Sequence, residues 1–338
     1  MRSTSRPPAA ALPAIAGALL AGTGLAVLLS LALGSKAIPL GEVLRALFAG
    51  TDSDNATVIT SQRLPRTLLG LAAGLAIGMA GALMQGHTRN PLADPGLFGV
   101  NAGAAFGVAC LVFGLGVATP ALMVVAALLG AGSVASLVLL LGLRGVSGGS
   151  LVRLAIVGTA LQALLTALTS ALILLDKETL DVLRFWEVGA LADRDYGMAA
   201  WIAPFMLAGC VLAAANAFSL NALGLGEEVA QSLGTRVRTT RIVGVATITL
   251  LAGSATAICG PVAFLGLVAP HAARVLAGHD QRWLVPLAGL IGAIVLLVAD
   301  TLGRIVAHPG ELEAGIVMAA IGAPVLLAIT RRRRLAAL

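Results

Sequence analysis

Few residues in this 338-residue chain have the types and spacing that catalysis or cofactor binding needs. The four histidines, His87, His271, His279 and His308, show no HExxH or other metal-ligand spacing. No GxSxG nucleophile elbow is present. A GxxxxGKS/T phosphate loop is also missing, since Lys36 lies in GSKA. The sequence therefore predicts neither an enzyme nor an ATP-binding chain, and it predicts no cofactor or metal bound by this chain.

One acidic residue lies clearly inside an apolar segment. Asp300 precedes Arg304 by four residues, so the two side chains can pair on one face of a helix. We favour a structural ion pair. The alternative is a proton relay, because ion-coupled secondary transporters place acidic residues deep in the membrane. Ion-coupled transport is therefore kept as the alternative function class.

The three cysteines, Cys110, Cys210 and Cys259, each lie in an apolar run, and none forms a CxxC pair. We expect small packing residues rather than ligands or disulfides.

The composition indicates the class of protein that must hold these groups. Hydrophobic residues make up 58% of the chain and charged residues 11%, and 41 residues are glycine. A soluble domain has about 45–50% apolar and about 25% charged residues. This excludes a soluble enzyme, a disordered protein and a fibrous protein. It predicts an all-α polytopic membrane protein whose helices pack closely through small residues.

Ten segments are apolar enough to cross a bilayer, which takes about 20 residues each. The eighth and the tenth are short. The predicted spans are residues 9–34, 68–85, 96–116, 119–143, 154–175, 198–218, 242–258, 262–276, 284–306 and 315–329.

The basic residues indicate an orientation. With the N-terminus in the cytoplasm, 14 of the 22 lysines and arginines fall in cytoplasmic segments, including the Arg331–Arg334 block. Both termini are then cytoplasmic, and the positive charge (+6) reflects topology rather than nucleic-acid binding. The first apolar run exceeds a signal-peptide core in length, so we expect an uncleaved helix.

Two outward-facing segments, 38–47 and 180–191, carry apolar residues at helical spacing among a few charges. They fit short helices at the outer membrane interface. The alternative is that they are loop ends packed on the bundle.

The second span and the segment after it hold the most specific motifs. The span follows RLPR (63–66) and carries a stripe of small residues, which lets another helix approach closely; the stripe is Gly70, Gly74, Gly78, Ala82 and Gly86. Next comes MQGHTRNPLADPGLFGVNAG (84–103), where prolines and glycines break the helix. Irregular backbone is tolerated in a membrane only inside protein or beside a water-filled path.

These motifs resemble the signature of FecCD-type permeases, the membrane subunits of ABC importers for iron–siderophore complexes, haem and cobalamin. Further matches follow in the family's order: LGLGEEVAQSLG (223–234), GPVAFLGLVAPHAARVLAGHD (260–280), VADTLGR (298–304) and GAPVLL (322–327). The chain departs from the family at Glu313, where a proline is usual, so we expect a slightly different outer loop there.

The resemblance implies a single permease domain over residues 1–338, with about ten helices in the type II ABC importer permease fold. It implies four kinds of partner: a second permease copy, two ATPase subunits that use ATP and Mg²⁺, an external substrate-binding protein, and the lipid bilayer of the bacterial inner membrane. Nucleic acid is not an expected partner.

The resemblance also assigns roles to individual residues. Arg63, Arg66 and Arg304 would receive acidic residues of the binding protein, near an external loop (177–196). A cytoplasmic coupling loop (219–240) would contact the ATPase; its candidate contacts are Gly226, Glu227, Glu228, Gln231, Leu233 and Gly234.

The cytoplasmic gate would include Asn90 and Leu92, and by a looser alignment Ser150 and Leu151. For His271 we favour a structural role over substrate contact. The expected cargo is an iron(III)–siderophore, with haem and cobalamin as alternatives.

Overall fold

A computed structural model describes residues 11–49, 53–142, 151–192, 196–308 and 310–331, and this part of the chain is built from helices joined by short loops. The α-helices are α1 (Ala11–Ala32), α2 (Leu40–Phe48), α3 (Asp54–Thr57), α4 (Leu64–Thr88), α5 (Val100–Leu115), α6 (Pro120–Gly142), α7 (Leu151–Leu175), α8 (Lys177–Trp186), α9 (Tyr196–Gly224), α10 (Glu227–Ser232), α11 (Val237–Cys259), α12 (Leu265–Ala277), α13 (Gln281–Val306) and α14 (Ala314–Arg331). A π-helix (Val58–Arg63) leads into α4, and a 3-10 helix (Pro95–Phe98) precedes α5.

Seven of the described helical segments are long and apolar enough to cross a membrane, and three shorter apolar helices, α5, α12 and α14, accompany them. Together they occupy the ten predicted spans. The third predicted span begins too early, because Pro95–Phe98 forms the 3-10 helix and Gly99 turns the backbone at φ 71° before α5 starts. The sixth ends too early, since α9 continues to Gly224.

Helix α4 lies at the centre of the bundle, against α13, α11 and α12. A Cβ on Gly74 would lie 2.6 Å from Ala293 Cα, and one on Gly78 would lie 2.1 Å from the Ala288 carbonyl oxygen. Both distances are too short for any side chain, so backbone packs on backbone. The predicted glycine stripe thus includes the contact surface with α13.

A glycine outside the predicted stripe makes an equally close contact with α12. A Cβ on Gly81 would lie 2.1 Å from the Gly266 carbonyl oxygen. Gly81 precedes the end of α4 by seven residues, or about two helical turns. Because Gly266 is the second residue of α12, this helix begins inside the bundle, after the irregular residues 260–264.

The two predicted amphipathic segments form helices α2 and α8. α2 exposes Leu40, Leu44 and Phe48 at four-residue spacing, as expected for a helix at a membrane interface. α8 begins after Asp176, whose carboxylate accepts hydrogen bonds from the Thr179 hydroxyl and amide. The hydrogen bond from the Thr179 hydroxyl holds the pKa of Asp176 below its usual value. The ionised carboxylate then stabilises the N-terminus of α8. α8 ends at Trp186, earlier than predicted, and Gly189 then turns the chain at φ 85°.

The cysteines are free thiols at three separate positions. Within the described residues, no group of three histidine, cysteine or acidic side chains is placed to hold a metal ion.

Candidate functional site

The candidate residues lie at two opposite ends of the bundle. We call the end that holds the first turn of α4 and the last turn of α13 the Arg66 end. The other holds the C-termini of α4 and α9, helix α10 and the N-termini of α11 and α13, and we call it the α10 end.

At the Arg66 end, Arg66 and Arg304 pair with one buried carboxylate, and Arg63 lies beside them. Asp300 is 1% exposed. Arg66 Nε donates to both of its oxygens at 3.0 and 3.1 Å, and Arg66 Nη2 donates to Oδ1 at 2.7 Å. Arg304 Nε lies 3.2 Å from Oδ2. The Asp300–Arg304 pair expected from the sequence is present, and Arg66 is a second partner that the sequence analysis missed.

Two of these arginines also bind the end of α1. Arg63 Nη1 donates to the carbonyls of Leu31 and Ala32 at 2.8 and 3.0 Å. Arg304 donates to the Ser30 carbonyl at 3.1 Å. Cations at a helix C-terminus satisfy its unpaired carbonyls and favour its dipole. In this structure both side chains are therefore inside the protein, with Arg63 6% and Arg304 3% exposed.

Arg66 is the outermost of the three. Its Nη1 atom contacts Glu311 Oε2 at 2.7 Å, and the two side chains are 11% and 34% exposed. One edge of the guanidinium thus faces the buried Asp300, while the other faces a partly exposed glutamate on the loop before α14. Any further carboxylate that approached Arg66 would meet Glu311 first.

At the α10 end, helix α10 projects with two glycines at its ends. Gly226 precedes it at φ 117° and Gly234 follows it at φ 84°, both in the region that favours glycine. Leu225, Val229 and Leu233 are exposed by 65%, 45% and 64%. Leu225 and Leu233 flank α10 and Val229 lies in it, so together they form an exposed apolar surface around this helix. Only Leu233 was predicted from the sequence, although Leu225 and Val229 precede it at four-residue intervals.

The acidic and amide candidates on α10 differ in their contacts. Glu227 forms an ion pair with Arg241 on α11, which is 7% exposed. Glu228 and Gln231 are exposed. One candidate thus holds α10 against the bundle, and two face outward.

The Asn-Pro-Leu gate segment forms a tight turn after α4. Asn90 Oδ1 accepts a hydrogen bond from the Leu92 amide at 3.0 Å, and Leu92 is 40% exposed. Leu151 is the first residue of α7. The other gate candidate, Ser150, lies outside the described residues.

A further contact joins α9 to the start of α13 at this end. Asn221 Nδ2 donates to Asp280 Oδ1 at 2.7 Å, and the Gln281 amide donates to Asn221 Oδ1 at 2.8 Å. Hydrogen bonds from the Arg282 guanidinium lower the pKa of Asp280 to about 2. Asp280 is therefore ionised at neutral pH and accepts hydrogen bonds from both Asn221 and Arg282.

A second acidic residue lies inside the bundle, which the sequence analysis did not anticipate. Asp94 Oδ1 accepts the Gly96 amide at 2.8 Å, and a Cβ on Gly266 would lie 2.9 Å from Asp94 Oδ2. With Asn101 and Thr256 it lines a cavity of about 10 Å³, room for one water molecule. The chain after the Asn-Pro-Leu turn thus folds back into the protein. His271 lies half-buried in α12.

Comparisons with known proteins agree with this architecture. The profile of the FecCD transport family matches residues 14–332. The chain is 44% identical over 310 residues to the ferric enterobactin transport system permease protein of Escherichia coli (strain K12), covering 91% of this chain and 92% of that protein. It is 40% identical over 307 residues to an Fe(3+)-citrate import system permease protein of Bacillus subtilis (strain 168), covering 90% and 91%.

A solved structure also matches. It is described as an inward-facing conformation of a metal-chelate type ABC transporter. The TM-score is 0.83 at 27% identity, over 95% of this chain and 99% of that one.

Proposed function

This chain belongs to the FecCD transport family, and we propose that it is the membrane permease subunit of an ATP-driven importer that carries an iron(III)–siderophore into the cell. The observation that carries the proposal is the match to a ferric enterobactin permease over nine-tenths of both chains. The protein would lie in the bacterial inner membrane with both termini in the cytoplasm. It would supply the path for the cargo and no catalytic residue.

The proposal includes ATPase partners, which would use ATP and Mg²⁺. The exposed apolar surface of Leu225, Val229 and Leu233 supports this, since an exposed apolar patch suits a groove on another protein. Glu228 and Gln231 would add polar contacts at its rim. Two ATPase subunits would bind two permease copies, one at each α10 end.

At the Arg66 end, the proposal places an external binding protein with acidic contact residues. Arg63, Arg66 and Arg304 exceed the acidic residues of the same cluster, Asp300 and Glu311, by one positive charge, and Arg66 is the one nearest to solvent. Rim charges chiefly set the association rate and the orientation of a partner. Arg63 and Arg304 would contribute through their field rather than by direct contact.

The structure predicts that Glu311 competes with the binding protein for Arg66. Glu311→Gln removes the competing charge and should raise the association rate of the binding protein by about two- to fivefold at low salt. The matched control is Glu178→Gln, which removes one exposed carboxylate from α8. Association is followed by surface plasmon resonance on the reconstituted complex. An equal increase in the control, or a decrease in Glu311→Gln, would contradict the role of Glu311.

The cargo is tested with the complete complex in liposomes. We expect ATP-dependent uptake of ferric enterobactin labelled with radioactive iron, and no competition by excess haem or cobalamin. Uptake of labelled haem or cobalamin, with none of the ferric siderophore, would refute the cargo while leaving the importer class intact.

A further inference from the structure

The residue that ends α4 has a backbone conformation that arginine rarely adopts. Arg89 lies in the left-handed region at φ 49° and ψ 33°. Glycine or asparagine is usual at this position after a helix. A non-glycine residue remains there only where its surroundings fix it, and such residues cluster at functional sites.

The contacts of the Arg89 side chain explain why an arginine occupies this position. Its Nη2 atom donates a hydrogen bond to the carbonyl oxygen of Leu223, which is 134 positions away in the sequence. Leu223 lies in the last turn of α9, four residues before α10. Arg89 is also bonded covalently to Asn90, the first residue of the gate turn. One residue therefore joins the turn at 90–92 to the segment that leads into α10.

A second arginine holds α10 on its other side. Arg241 on α11 pairs with Glu227, the first residue of α10. Helix α10 is thus linked to α11 through Arg241, and the end of α9 that leads into α10 is linked to the gate turn through Arg89. Three residues, 224–226, connect Leu223 to α10, and the Arg89 side chain binds the Leu223 carbonyl.

We infer that Arg89 is a positioning residue that transmits movement of α10 to the gate turn at Asn90 and Leu92. The inference rests on the proposed function, which supplies the ATPase that would move α10. It adds Arg89, through its contact with Leu223, as the residue that couples α10 to the gate turn.

A purely structural role makes a different prediction. If Arg89 only ended α4, glycine would serve at least as well, because it adopts the left-handed conformation without strain. Arg89→Gly therefore separates the two roles, since it keeps the helix end and removes the link to Leu223.

The experiment uses the full complex in liposomes with ferric enterobactin and ATP. For Arg89→Gly we expect uptake per ATP hydrolysed to fall about three- to tenfold, the effect of one lost hydrogen bond of ordinary strength on a two-state element. ATPase binding and the thermal unfolding temperature should not change. Arg89→Lys, which can still donate to the carbonyl, should recover most of the uptake. The control Arg45→Ala removes an exposed arginine on α2 that also donates to a backbone carbonyl, that of Gly41 at 3.2 Å, and it should match the wild type.

The possible results test the proposed function and the role of Arg89 separately. A wild-type complex that takes up nothing with ATP would refute the proposed function, and the inference with it. A working wild type with an unchanged uptake ratio in Arg89→Gly would refute the inference alone. If Arg89→Gly fails to fold or to bind the ATPase, the transmission role is rejected too, because the residue would then be needed for assembly.

Discussion

Replacing Asp300 with asparagine should unfold or severely destabilise the protein. The carboxylate is 1% exposed, accepts hydrogen bonds from Arg66 and forms an ion pair with Arg304, while Arg63 lies close by at the end of α1. Asparagine would leave these buried guanidinium groups with Glu311 as their remaining acidic contact. Breaking a buried ion pair by removing one partner costs about 3–5 kcal/mol. We expect a loss of this size in thermal unfolding of the detergent-purified protein.

The control for this substitution is Asp181→Asn. Asp181 pairs with Arg184 on α8, but the two side chains are 50% and 55% exposed, so the change should be within about 0.5 kcal/mol. A proton relay predicts another outcome, namely an Asp300→Asn protein of normal stability that no longer transports. A stable variant of this kind would contradict the structural role of Asp300.

The second large effect is expected at Gly78. A single added methyl group would lie 2.1 Å from the Ala288 carbonyl oxygen, and backbone cannot move aside as a side chain can. Gly78→Ala must therefore separate α4 from α13. Overpacking of a core typically costs 1–3 kcal/mol, and this contact should reach about 3 kcal/mol. The measurement is again thermal unfolding, together with the yield of folded protein.

Gly24→Ala provides the matched comparison. Gly24 lies in α1 and has no heavy atom within 4 Å of an added Cβ. Alanine favours helices over glycine by about 1 kcal/mol, so this variant should be equally stable or slightly more so. Equal stability of Gly78→Ala and Gly24→Ala would show that α4 and α13 do not pack as described.

The spans could be predicted from the sequence because each depends on local hydropathy. The Asp300–Arg304 pair could also be predicted, because two residues four positions apart lie on the same face of a helix. Arg66 as the other partner of Asp300 was not, because 234 positions separate them. The same holds for Arg63 and Arg304 at the end of α1, which no local pattern indicates.

The irregular segments were the harder part. Prolines and glycines around Asp94 predicted a broken helix, but not that the chain turns back and places this carboxylate beside Gly266. That position depends on the close contact between α4 and α12, in which glycine backbones meet. At the α10 end, Leu233 was predicted from the sequence. The structure shows that Leu225 and Val229 are also exposed and extend this apolar surface.

We expect this chain to act as a passive path that ATPase subunits drive, rather than as a transporter driven by an ion gradient. The direct test compares two kinds of liposome, one with the purified chain alone and one with the complete complex. We expect ferric enterobactin to accumulate only in the complex and only with ATP, with no response to an imposed proton or sodium gradient. Accumulation by the chain alone when such a gradient is applied would contradict the claim.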